Sequence, residues 1–253
     1  MIDKKEGTKP QGEEVVACRA LCLGALIVRS EFEKIVQNIH DLTVLKVHEE
    51  LIGRLNAWLD QEELVLYQSS HEKTLLDKPP GSWNWQEVIN ANWRLEALGV
   101  LLWSLSLLDE LPPYDTEFTQ QDVLKPLGLF GPAGDFRKRV HLRPANAIES
   151  ARGTTELWHW RSRTARIQDE GLRQTDGVDF PEIIKMVAGK AYQNGDIPKP
   201  VEDDFPAFDN PYAKLSQEEH SRATSIAAER HYALNGLCGY AGDWDETPAV
   251  FNI

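Results

Sequence analysis

The chain has 253 residues, 42% of them hydrophobic, with 27 basic against 40 acidic side chains and a net charge of −13. That length buries a sizeable core without disulfide staples. The acidic balance excludes non-specific attraction to nucleic acid or to an anionic membrane surface, and leaves a basic protein partner open.

Cys18, Cys22 and Cys238 are odd in number and lack a paired spacing, which speaks for a cytoplasmic setting over a secreted disulfide scaffold. The polar opening stretch has no hydrophobic signal core. The longest nearly apolar run, Ala97 to Leu108, is too short to span a bilayer. Residues 1–12 read as a loose tail, and 13–253 as one α-helical domain with a loop-rich insert over 171–215.

Glu13–Arg29 is expected to form the first helix, with Val16, Ala20, Leu23, Gly24 and Ile27 as its apolar stripe. A second is expected from Glu31 into the forties and a third over His48–Leu59. Asp60 with Glu63 has capping-box spacing for a short helix through Tyr67. Lys78-Pro79-Pro80-Gly81 breaks the chain. Asn84 with Glu87 is another capping box, and it opens a central helix expected to end near Asp109, ahead of Pro112-Pro113. Residues 112–142 read as mostly irregular, and Gly128, Gly131 and Gly134 there lack the spacing of a dinucleotide fingerprint.

Pro144–Ser150 reads as a short helix, with Thr154 capping a longer one through Gln168. Another short helix is expected over Pro181–Ala191, followed by a surface loop from Ile197 that Phe205, Phe208 and Tyr212 pin down. Ser216 and Glu219 cap the last long helix, which Gly239 closes. The fold class that follows is mostly α: a single compact multi-helix domain with long irregular loops, its central helix packed against the first and last.

Trp93 to Trp103 in the central helix is apolar on every side yet carries Arg94 and Glu96. A helix of that kind lies in the interior, where an unpaired charge is very costly. On the last helix Arg230 falls at the centre of the stripe Ala223, Ile226, Ala227, Ala233, Leu234 and Leu237. Glu96 is its natural partner, with Asp243 and Asp245 as alternatives.

His231, Asn235 and Cys238 on one flank of that helix are read as packing groups and not as a nucleophile triad, because side chains on one helix run parallel and a helix C-terminus disfavours a thiolate. Glu156-x-x-His159 is one carboxylate–imidazole unit where a di-iron bundle needs two. No metal and no cofactor is therefore expected. Arg161 and Arg163 read as partners for the acidic stretch Asp243-Trp244-Asp245-Glu246.

Trp93-Arg94-x-Glu96-Ala97 leading into Leu101-Leu102-Trp103-Ser104-Leu105, together with Glu229-Arg230-His231-Tyr232-Ala233-Leu234-Asn235 and Trp244-Asp245, resembles an uncharacterised bacterial family, domain of unknown function 4272. The opening helix and the segment from Leu142-Arg143 into Trp160-Arg161 resemble it too, so that the likeness covers most of 13–248. It implies a single α-helical domain and brings no activity or catalytic residue with it. Gly236 departs from the family pattern, which places a tryptophan after the asparagine.

Two functions are expected to compete. One is a non-catalytic binding or protein-interaction domain. The other is an enzyme or small-ligand binder with a polar pocket between the central and last helices, drawing on Glu96, Arg94, Arg163, Arg230, His231, Asn235 and Asp245.

Overall fold

The structure is a computed structural model and describes residues 10–169, 179–240 and 244–245. The expectations placed on 1–9, on 171–178, on Asp243 and on Glu246 lie outside the described residues.

Helix α1 runs unbroken over Glu13–Asn38, where two helices were expected. Ser30 does not end it: its hydroxyl donates back to the Ile27 carbonyl at 2.7 Å, and Arg29 pairs with Glu33 one turn on. Helix α2 covers Leu42–Gln61, starting earlier than expected because the Asp41 carboxylate accepts from the Thr43 and Val44 amides. The expected Asp60–Glu63 capping box does not form. Asp60 lies inside α2, and Glu63 adopts a φ of 57° ahead of a 3-10 turn, Leu64–Tyr67.

Helix α3, Ser70–Leu76, was not anticipated, although Ser69 and Glu72 cap it reciprocally. Helix α4, Trp85–Ser104, starts at the expected Asn84–Glu87 box and ends before the expected boundary. Leu105 caps it, Ser106 takes a φ of 60°, and the Arg143 guanidinium gathers the freed carbonyls of Trp103, Leu108 and Asp109.

The irregular stretch that follows contains two short helices, α5 over Gln120–Leu124 and α6 over Ala133–Arg137. Helix α7, Ala145–Asp169, is again one helix where two were expected. The Thr154 hydroxyl reaches outward to Asp196 at 3.4 Å and does not cap. Helix α8 covers Phe180–Asn194. A minimal antiparallel pair, β1 Pro206–Ala207 and β2 Asn210–Pro211, then turns through Phe208 and Asp209, both with positive φ. Helix α9, Gln217–Cys238, has the expected Ser216–Glu219 box and ends at Gly239 with a φ of 73°.

The molecule is mostly α. As expected, α4 lies between α1 and α9, and α7 packs along α9. The main core joins α1, α4 and the second half of α9 through residues such as Leu21, Leu101 and Leu234. A second core gathers Trp158, Ala188, Phe205, Tyr212 and Ile226 around the first half of α9.

Arg19, Arg29, Arg161 and Arg230 are fully buried, and each ties an irregular segment to a core helix. Arg19 donates to Tyr67 O, Arg29 to Lys78 O and Pro79 O, and Arg230 to Pro112 O and Thr116 O. Arg161 holds Asp204, whose carboxylate also accepts from the Phe205 and Ala213 amides. Buried loop carbonyls and amides are thus satisfied by charged side chains in place of secondary structure.

Candidate functional site

Helices α4 and α9 meet along a seam crossed by two ion pairs of opposite polarity. Arg230 of α9 donates to Glu96 of α4 through Nε at 2.8 Å, with Nη2 also 2.8 Å from the same oxygen. The other Glu96 oxygen accepts from the Phe118 amide at 2.8 Å, and the remaining guanidinium donors take the carbonyls of Pro112, Pro113 and Thr116. Glu96 is 1% exposed and Arg230 is 0% exposed. Burial pushes the Glu96 carboxyl up, against the pull of Arg230 and the Phe118 amide.

Gly99 lets this closure form: a Cβ there would lie 2.3 Å from the Phe118 ring. Glu96 borders a hollow of about 430 Å³ with Lys34, Trp85 and Phe118, but both its oxygens are already engaged. This pair is a clamp on the 112–118 loop.

The second pair runs the other way. Arg94 of α4 donates to Glu229 Oε2 of α9 at 2.9 Å and lies over the Tyr232 ring at 4.1 Å. Both residues line a larger cavity of about 650 Å³ between α3, the first half of α4, the end of α7 and the first half of α9. Ile89, Asn90 and Trp93 come from α4, and Ser162, Arg163, Arg166 and Asp169 from α7. From α9 come His220, Thr224, Ser225 and Ala228.

Glu72 lines the α3 end. Burial pushes its carboxyl up, but the bidentate Arg19 contact at 2.5 and 2.6 Å and the Ser69 amide outweigh that and bring it below the usual range. Among the described residues Glu229 is paired with Arg94 alone, and burial pushes its carboxyl up against that pull. Burial also lowers His220, whose ring packs edge-on against Tyr212 at 5.4 Å.

The residues singled out in the sequence therefore separate. Arg94, Arg163 and Asp245 line the cavity, with Asp245 accepting from the His71 amide at the start of α3 at 2.9 Å. Glu96 and Arg230 form the clamp. His231 and Asn235 lie further along α9 in a third group. There His231 Nε2 donates to Glu156 at 2.7 Å, which leaves Nδ1 to accept from Asn235 at 3.3 Å. The His231 ring stacks on His159 with centroids 4.3 Å apart.

The bond from His231 lowers the Glu156 carboxyl, while burial and the neighbouring His231 bring His159 down to about 4. Among the described residues no group of three or more His, Cys, Asp or Glu is placed to hold a metal ion. The expectation that Arg161 meets the acidic stretch after α9 is corrected: it forms a bidentate pair with Asp204 at 2.7 Å, in the loop that packs on the second core.

Glu229 escaped the sequence reading, although a signal was present. It follows Ile226 by three residues and precedes Ala233 by four, which places it on the buried stripe. Arg19, inside the apolar run Val15–Leu26, carried the same signal as Arg230. Gly236, where the resemblance places a tryptophan, lies beside another tryptophan, Trp244. The Trp244 ring lies over that position, 2.2 Å from where a Cβ would stand, with the Arg19 guanidinium 4.7 Å from its centroid.

The profile of the family described as domain of unknown function DUF4272 matches residues 1–179. The chain belongs to the DUF4272 family. The match takes in α1 to α7 and so the Arg94 and Arg163 walls of the cavity. It stops short of α9, which carries Glu229 and the second motif. No curated protein and no solved structure matches the chain. Among the described residues no helix is long and apolar enough to cross a membrane.

Proposed function

We propose that this DUF4272 protein is a non-catalytic binding domain whose recognition site is the cleft between α4, α7 and α9. One observation carries the reading: a cavity of about 650 Å³ with mixed apolar and polar walls, within the size range of small-molecule sites. Among the described residues no cysteine, lysine or tyrosine lines it, and its serines make no hydrogen bond to an imidazole, so the nucleophile–base arrangement that covalent catalysis uses finds no support there.

The net charge of −13 favours a partner of positive charge. Cys18, Cys22 and Cys238 are buried and joined in no disulfide, which supports a reducing, cytoplasmic compartment. The test is a thermal-shift screen of a small-molecule library on wild type and on Ser225→Phe, which fills the cleft from α9. Compounds that raise the wild-type Tm and lose their effect on the variant support the reading. Compounds acting equally on both, or turned over by the wild type, overturn it.

A further inference from the structure

We propose that the cleft selects an organic cation, an ammonium or amidinium group that donates to Glu229 while its apolar body lies against Ile89, Trp93 and Ala228. The inference rests on the binding reading above and names the ligand class of that site.

Glu229 is 6% exposed, and within the described residues its carboxylate makes one hydrogen bond, from Arg94 to Oε2. A carboxylate offers about four acceptor sites, and a buried one is normally filled from several sides. The other buried carboxylates follow that rule. Glu96 uses both oxygens, Glu72 takes Arg19 twice and the Ser69 amide, and Asp204 takes Arg161 twice and two amides. Glu229 departs from it on the wall of the large cavity. Among the described residues its Oε1 takes no donor, yet it is not sealed from solvent, so a ligand donor in the cavity can take the place of water there.

The charge of that ligand follows from the surroundings. Among the described residues four carboxylates, Glu72, Asp169, Glu229 and Asp245, line the cleft against three guanidinium groups, Arg94, Arg163 and Arg166. The whole chain carries −13, so the long-range field draws in a cation and repels an anion. Trp93 adds an aromatic wall, which suits a flat apolar body and a nearby positive charge. Arg163 and Arg166 on the α7 wall are the anchors an anionic ligand would use, which makes the anion the competing outcome.

Benzamidine, benzamide and benzoate share one planar body and differ in charge, and each can be titrated into the full chain by calorimetry. Benzamidine is expected to bind about tenfold or more tightly than benzamide, and benzoate more weakly than either. Glu229→Gln is expected to weaken benzamidine about tenfold and to change benzamide less than about twofold. Because that variant leaves Arg94 without its partner, Ser225→Phe serves beside it: it retains the ion pair and is expected to abolish binding of all three probes.

Tightest binding by benzoate, lost in Ser225→Phe, would overturn the cation inference and leave the cleft as a binding site. Benzamidine bound equally by wild type and a folded Glu229→Gln would overturn the inference as well. Failure of all three probes, or binding that survives Ser225→Phe, would overturn this inference and the binding reading together.

Discussion

Two ion pairs join α4 to α9, Glu96 with Arg230 and Arg94 with Glu229, and they differ in how fully each is satisfied. In the first, both Glu96 oxygens and all three guanidinium nitrogens are engaged, by each other and by backbone of the 112–118 loop, although Glu96 borders the smaller hollow. The second has one bond and faces a cavity. Both begin from neighbouring residues on the same two helices, so burial alone does not separate structural charges from recognition charges. What separates them is the completeness of the hydrogen-bonding shell. A closed shell ties the fold together and has nothing left to offer a ligand, whereas an incomplete one beside a cavity has unspent capacity.

The largest expected effect breaks the closed pair. Arg230→Met strands the Glu96 carboxylate in the core and frees the carbonyls of the 112–118 loop. The expected loss is about 3–5 kcal/mol, read from urea unfolding midpoints.

Next comes the pH dependence of the third polar group. Burial and the neighbouring His231 hold the His159 imidazole at a pKa of about 4 in the folded protein, against the ordinary 6.5, so the unfolded chain binds more protons between those values. Stability from this group is full above the unfolded pKa and is lost as pH falls from about 6.5 towards 4, by on the order of 2–3 kcal/mol. His159→Asn should flatten that slope in unfolding curves taken across the window, and an unchanged slope would remove His159 as its source.

Gly99→Ala sharpens the comparison by disturbing only the closed pair. The new methyl meets the Phe118 ring and displaces the residue whose amide completes Glu96. A loss of about 1–3 kcal/mol is expected despite the helix-favouring alanine, with the cleft unaffected. Gly236→Ala acts more gently. It should lift Trp244 from α9, cost about 1 kcal/mol, and speed hydrogen exchange at the His71 amide, which loses its bond to Asp245.

Some features that rest on neighbours in sequence were legible before the structure, although the same spacing misled at Asp60 and went unread at Ser69. The capping boxes at Asn84 and Ser216 require only residues three apart, and the apolar runs around Glu96 and Arg230 announce buried charge wherever the partner lies. Helix boundaries decided by side chains turning back on the chain were not legible. The break placed between Arg29 and Glu31 is absent because the Ser30 hydroxyl donates back to Ile27, and Thr154 reads as a cap until it is seen reaching for Asp196. Arg161 was assigned the wrong partner because Asp204 reaches it through an irregular loop that no period describes. The cleft itself was half visible. Arg94, Arg163 and Asp245 were marked as polar groups near the seam, but only packing shows that they share a cavity with Glu229 and that Arg230 does not.

The most direct test measures unfolding free energy and benzamidine affinity together on Glu96→Gln and Glu229→Gln. Glu96→Gln is expected to suffer the larger loss of stability while its folded fraction binds as wild type does. Glu229→Gln should stay the more stable of the two and lose affinity. If Glu229→Gln is destabilised as much as Glu96→Gln and its folded fraction still binds benzamidine like wild type, the two pairs play the same structural part and the distinction between them is wrong.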